Sequence, residues 1–331
     1  MTHSIPIALL DSLEKVKGFD RNSFIEAHHQ PVRTSVRFNP KKLFELTTSS
    51  LEVDAEVPWC SNGYYLKSRP SFTLDPVFHA GGYYVQEASS MFLEQAIKQT
   101  VDLTKSLKVL DLCAAPGGKS TLIQSLISKD SLLVCNEVIK PRVNILIENL
   151  TKWGADNVVV TNNDPAHFQR IPDYFDVIVV DAPCSGSGLF RKEPEAIQEW
   201  SENNVALCNQ RQQRILHDVL PALKAGGILI YSTCSYSYEE NEYISQWLKN
   251  EMKLKALSLK IENEWGIIET ENQNGYRFFP DKTDGEGFFL QVLQKTEGAP
   301  LSNSRKQQIS KIKAHSFASP WIKKDAPNLF W

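Results

Sequence analysis

From Leu107 onward the chain alternates short apolar runs with amphipathic stretches, and that alternation leaves few folds open. Continuous apolar runs predict strands over 108–113, 132–136, 158–161, 176–181 and 227–232. Helical spacing over 119–128, 141–153, 203–223 and 239–250 separates or follows them, with Pro141 at a first-turn position and Gly226-Gly227 as a stop signal. Two further strands are expected over 275–279 and 287–293. Strands that are apolar on both faces and joined by helices build a parallel, doubly wound α/β sheet. Ligands in such sheets bind outside the carboxyl ends of the strands, so the chemistry is sought there.

The residues ahead of this pattern read as a small α+β unit. Helical spacing covers 9–16 and 21–28, and period-two alternation over 34–39 predicts a strand that stops at Pro40. A short helix is expected over 41–45 and a second strand over 63–67. The divisions are placed at 1–75 for this unit, 76–295 for the α/β domain and 296–331 for a tail.

The first α/β strand runs into Asp111-Leu-Cys-Ala-Ala-Pro-Gly-Gly-Lys-Ser120, where small residues let a ligand approach the backbone ahead of a helix. Gly118-Lys119-Ser120 suggests a phosphate loop. However, Cys113 stands where that motif needs glycine, and Pro116 lacks an amide donor. The dinucleotide fingerprint G-x-G-x-x-G is also absent. Glu137, just past the second strand, is placed to accept ribose hydroxyls, and Asp164, after the third, to meet an adenine amino group. A ribose acid without a phosphate cradle suggests a nucleoside lacking phosphates, and S-adenosylmethionine fits.

Six cysteines are widely spaced, with no C-x-x-C pair, so neither a zinc site nor any other metal is expected. Cys60, Cys135 and Cys208 read as small buried hydrophobes. Two others stand apart. The fourth strand ends in Asp181-Ala-Pro-Cys-Ser185, then Gly-Ser-Gly-Leu-Phe-Arg-Lys192, and the fifth ends in Ser232-Thr-Cys-Ser235. Cys184 and Cys234 therefore fall at one edge of the sheet, in polar loops. A thiol is only slightly ionised at neutral pH unless its site activates it.

Together, DLCAAPGGKS, DAPCSGSG and STCS, with Gly82-Tyr-Tyr-Val-Gln-Glu-Ala-Ser-Ser90 upstream, resemble the RNA (cytosine-5)-methyltransferase family, whose bacterial members methylate 16S ribosomal RNA. The likeness runs in order over about 32–295. It implies a Rossmann-like class I S-adenosylmethionine-dependent methyltransferase domain behind an RRM-like α+β domain that presents RNA. It also implies that a thiol adds to C6 of an unpaired or flipped-out cytosine, so that C5 can attack the methyl group. By the same resemblance Cys234 is the nucleophile and Cys184 assists product release. Asp181 meets the N3/N4 edge of the base and Lys119 orients its neighbours. Cys113, Ala114, Ala115, Pro116, Gly117, Gly118 and Lys119 form the cofactor loop, with Glu137, Asp164 and Asp181 beside it. The alternatives are transfer RNA as substrate, a non-catalytic RNA-binding factor, or a DNA cytosine-5-methyltransferase. The last would make Cys184 the nucleophile, but Thr-Cys-Ser after the fifth strand and the N-terminal unit favour RNA.

A formal charge of −3 speaks against a uniformly basic RNA-binding surface. The sign is uneven, because 299–331 carries six basic residues against Asp325. Arg191 and Lys192 are the expected phosphate contacts, with Arg33, Arg37, Lys41, Lys42 and the tail as further candidates. Larger bacterial members carry extra C-terminal RNA-binding domains, so the tail either leads into such domains or is a complete short arm. His28, His29 and His79 lack metal-ligand company, and Trp59, Trp153, Trp200 and Trp247 read as packing residues. No run approaches the roughly 18 apolar residues of a membrane span, and the N-terminus is not that of a secretory signal. A cytoplasmic monomer is expected.

Overall fold

Two sheets organise the computed structural model, which describes residues 4–42, 51–273 and 275–296. The smaller contains β1 (Ser35–Phe38), β2 (Val53–Glu56), β3 (Gly63–Leu66) and β4 (Tyr83–Val85), all antiparallel in the order β2-β3-β1-β4. Its last strand lies beyond residue 75, where the sequence division was placed. Helices Ile7–Leu13 and Arg21–His28 precede it, the second capped by Asp20, which accepts the Ser23 N–H. The helix expected over 41–45 lies mostly outside the described residues, as does the tail from 297 onward.

The larger sheet contains β5 (Lys108–Asp111), β6 (Leu132–Asn136), β7 (Val158–Thr161), β8 (Phe175–Asp181), β9 (Leu223–Thr233), β10 (Leu254–Leu257), β11 (Ile268–Glu269), β12 (Tyr276–Phe278) and β13 (Phe288–Lys295). Its order is β11-β12-β13-β9-β8-β5-β6-β7, with β10 paired to β13. Strands β5 to β9 are parallel, as expected. The last strands depart from that pattern, because β13 runs antiparallel to β9, β10 and β12. The loop 279–287 between β12 and β13 is too short for a parallel crossover, which takes a dozen residues or more. Successive strand residues feed opposite faces. Val109, Val177, Val179 and Ile230 join one core layer, and Leu110, Ile178, Val180 and Leu229 the other.

The helix Glu202–Val219 ends before the glycines expected to stop it, and Gly226-Gly227 lie within β9. Phe175 pairs with Leu223 and Val177 with Ile228, so β9 bulges between them. Gly226 takes φ +74° there, a conformation costly for a side chain.

The N-terminal unit is locked to the larger sheet by Arg37, which is 1% exposed and not an open phosphate contact. Its Nε donates to Gln86 Oε1 at 2.9 Å, and its Nη2 donates to Thr121 Oγ1 at 2.6 Å and to the Gly118 carbonyl at 3.2 Å. Burial pulls this guanidinium down to about 10. Leu9, Leu13 and Phe24 of the first two helices pack with Phe190, Tyr236 and Phe279 of the α/β domain.

Candidate active site

The strand order reverses at β5, which has β8 on one side and β6 on the other. This is the switch point at which doubly wound sheets open a crevice. A cleft of about 440 Å³ lies there, lined by Cys113, Ala115, Glu137, Asp181, Cys184 and Cys234 among others. The fold thus gathers these six residues from four strand ends, whereas Lys119 and Asp164 stand outside the lining.

The loop after β5 turns into the helix Gly118–Leu126 through Gly117, whose φ of +113° suits glycine alone. Cys113 and Ala115 face the cleft, while Gly118 faces Tyr84 of β4 and supports the loop from behind. Burial pushes the Cys113 thiol up, so this sulfur is a wall rather than a nucleophile. Ser120 Oγ donates to Asp111 Oδ2 at 2.6 Å, and burial raises the Asp111 carboxyl to about 7.

Glu137 is almost fully buried. Its Oε1 accepts the Ile139 N–H at 2.8 Å, and Arg142 Nη1 stands 3.4 Å from Oε2. That Oε2 is buried and makes no hydrogen bond among the described residues beyond its ion pair with Arg142, and Glu137 lines the cleft. A buried acceptor left unmatched is costly unless a ligand donor meets it. Asp164 caps the turn Pro165–Arg170 by accepting the Ala166 N–H at 3.0 Å, with Arg214 Nη1 3.8 Å away.

Beyond the last parallel pair of β8 and β9, Asp181 with Ser232, the two cysteine loops converge. Cys184 Sγ and Cys234 Sγ lie 3.2 Å apart, and both thiols are free. The hydrogen bond with Cys234, then burial, hold the Cys184 thiol well above its usual range, so it stays protonated. Gly188 permits the approach, donating its N–H to the Cys234 carbonyl at 2.8 Å, where a Cβ would lie 2.7 Å from that oxygen. Asp181 accepts from Ser232 Oγ and from Lys119 Nζ, both at 2.8 Å. Burial opposes the charge on Lys119, but Asp181 outweighs it and holds the ammonium above its usual range.

The expected phosphate contacts separate. Arg191 turns inward, donating to the carbonyls of Gly285 and Pro31 and lying 3.7 Å from buried Glu286. Lys192 is exposed. Arg33 pairs with Asp54 and Asp284, and Lys42 donates to the carbonyls of Ala80 and Lys152. Sequence reasoning missed Arg211 and Arg214, which line the cleft from the helix Glu202–Val219. Arg211 is exposed and makes no side-chain hydrogen bond or ion pair among the described residues. Asn136 was also missed. It accepts from Thr161 Oγ1 and donates to the carbonyls of Leu112 and Asn163, fastening three strand ends.

A family model described as 16S rRNA methyltransferase RsmB/F matches residues 98–294. A second, the N-terminal domain of 16S rRNA methyltransferase RsmF, matches 5–88. Ribosomal RNA small subunit methyltransferase F of Vibrio parahaemolyticus is 32% identical over 98% of this chain and 70% of its own length. Its counterpart in Pectobacterium atrosepticum is 32% identical over 90% of this chain. The chain spans 64% of the length of that curated relative. A solved methyltransferase homologue from Pyrococcus horikoshii superposes with TM-score 0.71 at 28% identity, covering 88% of this chain and 100% of that one. NSun6 from Pyrococcus horikoshii superposes at TM-score 0.73 and 19% identity, covering 90% of this chain and 100% of that one, a likeness of fold. The expected Rossmann-like methyltransferase fold, with a separate N-terminal domain, is therefore the observed one.

Proposed function

This chain belongs to the 16S rRNA methyltransferase RsmB/F family, and on that premise we propose that it methylates C5 of a cytosine in 16S ribosomal RNA, with S-adenosylmethionine as donor. The observation that carries the reading is the pair of thiols 3.2 Å apart in a cleft that Glu137 also lines. When bound, S-adenosylmethionine supplies an electrophilic methyl group. Glu137 accepts ribose hydroxyls through Oε2, and Cys113 and Ala115 wall the same space.

Cys234 Sγ adds to C6, which makes C5 enamine-like and able to take the methyl group. Asp181, held by Lys119, is placed to hydrogen-bond the N3/N4 edge of the base and to favour attack at C6. Water then takes the C5 proton, whose electron pair re-forms the C5–C6 double bond and expels Cys234 as its thiolate. Cys184, kept protonated beside Cys234, can donate to the departing thiolate. Arg211, with Arg214 beside it, offers the cationic contact for RNA phosphates that Arg191 does not.

The N-terminal unit presents the RNA in this reading, and the protein acts as a cytoplasmic monomer. No helix among the described residues is long and apolar enough to cross a membrane. Tritiated methyl transfer to purified 16S ribosomal RNA, transfer RNA and DNA tests the proposal. Incorporation confined to 16S ribosomal RNA, at a cytosine located by bisulfite sequencing, supports it. Incorporation into transfer RNA or DNA alone overturns it.

A further inference from the structure

The serine that follows each of the two cleft cysteines reaches the same buried carboxylate. Ser185 comes directly after Cys184, and Ser235 directly after Cys234. Glu240, just ahead of the helix Glu242–Asn250, is 0% exposed. Its Oε1 accepts the Ser185 N–H at 2.8 Å and Gln212 Nε2 at 3.2 Å. Its Oε2 accepts Ser185 Oγ and Ser235 Oγ, both at 2.6 Å. No lysine, arginine or histidine pairs with it among the described residues.

We propose that Glu240 is the positioning residue that sets the spacing of Cys184 and Cys234, gripping both cysteine loops through one carboxylate. The inference rests on the reading of these thiols as the reacting pair. The pairing of β8 and β9 ends at Asp181 and Ser232, before either cysteine, so beyond it the loops are aligned by bonds of their own, those of Glu240 and the Gly188 N–H to the Cys234 carbonyl among them.

The chemistry of the grip calls for a carboxylate. All four groups, from three residues, can donate, and an ionised carboxylate is acceptor-only with room for about four donors. A glutamine amide keeps these contacts only if its N–H groups face the two serine hydroxyls, which must then accept rather than donate. Burying an acid without a cation is otherwise unfavourable. Burial does push the Glu240 carboxyl up, while hydrogen bonds from Ser185, Ser235 and Gln212 draw it down. The carboxylate also adds to the hydrogen bond and burial that keep the Cys184 thiol protonated.

The test uses the full chain with Glu240→Gln and Ser235→Ala, the second removing one of the four bonds. Diamide oxidises neighbouring thiols to a disulfide while being reduced to the hydrazine, and peptide mapping follows the Cys184–Cys234 bond. This readout reports thiol spacing without any methyl transfer. Wild type is expected to cross-link readily and Glu240→Gln at least tenfold more slowly. Its kcat should fall about 100-fold, the effect of a roughly 1 Å misplacement, with KM for RNA and affinity for S-adenosylmethionine within threefold.

Should Glu240→Gln fail to bind S-adenosylmethionine, Ser235→Ala carries the test, with about a tenfold loss in both readouts. Cross-linking at the wild-type rate in the folded variant overturns the proposal, and a kcat within threefold of wild type overturns its part in the reaction. Slow cross-linking alongside undiminished activity in Cys234→Ala would instead overturn the thiol assignment and leave the positioning role standing.

Discussion

Cys184 Sγ lies 3.2 Å from Cys234 Sγ, at the ends of adjacent parallel strands. This proximity separates two roles that look alike in sequence. Cys234→Ala is expected to abolish methyl transfer, because no bond to C6 forms. Cys184→Ala is expected to accumulate a covalent protein–RNA adduct, seen as a shifted band on a denaturing gel. The opposite pattern would assign the nucleophile to Cys184.

Glu137 lines the cleft with its Oε2 buried, free of hydrogen bonds and 3.4 Å from the Arg142 guanidinium. A hydrogen bond to a charged group contributes about 1.5–3 kcal/mol, so Glu137→Ala should weaken S-adenosylmethionine binding by about 10- to 100-fold. Titration calorimetry measures this, and an unchanged Kd would remove Glu137 from the cofactor site.

Lys119 and Asp181 are joined at 2.8 Å on the cleft side of β5 and β8. Lys119→Met leaves Asp181 without the cation that holds it. Single-turnover methyl transfer should fall about 100-fold, as for a misplaced group, with S-adenosylmethionine affinity little changed. A loss confined to cofactor binding would place Lys119 in the cofactor site instead.

Arg211 lines the cleft without a hydrogen bond or ion pair among the described residues, whereas Arg191 is engaged internally. Arg211→Ala should reduce the salt dependence of RNA binding by roughly one phosphate contact, a slope change of about 0.7 on a log–log plot. Binding isotherms across salt concentrations check this, and Lys192→Ala provides the comparison.

His28 lies against Phe24 and Tyr236, and burial lowers its pKa to about 4. The unfolded chain binds this proton below pH ~6.5, whereas the folded chain resists it until about 4. Stability is therefore lost as pH falls through that window, by about 2 kcal/mol between pH 7 and 4.5. Urea titrations at the two pH values should show a smaller loss in His28→Gln.

The parallel half of the sheet was legible because Val177 to Val180 and their counterparts are buried on both faces and leave an unbroken apolar run. The cleft was legible because Asp181, Cys184 and Cys234 sit where strands stop. The antiparallel half was harder to read, since an apolar run such as Phe288–Val292 carries no mark of strand direction. Charges misled most. Arg37 and Arg191 read as surface cations, yet one docks the N-terminal sheet and the other binds carbonyls, which depend on tertiary neighbours. Glu240 was hidden for the same reason: the serines it joins are 50 residues apart.

The helices Ile7–Leu13 and Arg21–His28 rest on Phe190 and Tyr236, in the loops that carry the two thiols. A boundary drawn along the chain near residue 75 is thus not a boundary in packing. Cutting there would strip the apolar backing from Phe190 and Tyr236, and with it the support of both cysteine loops.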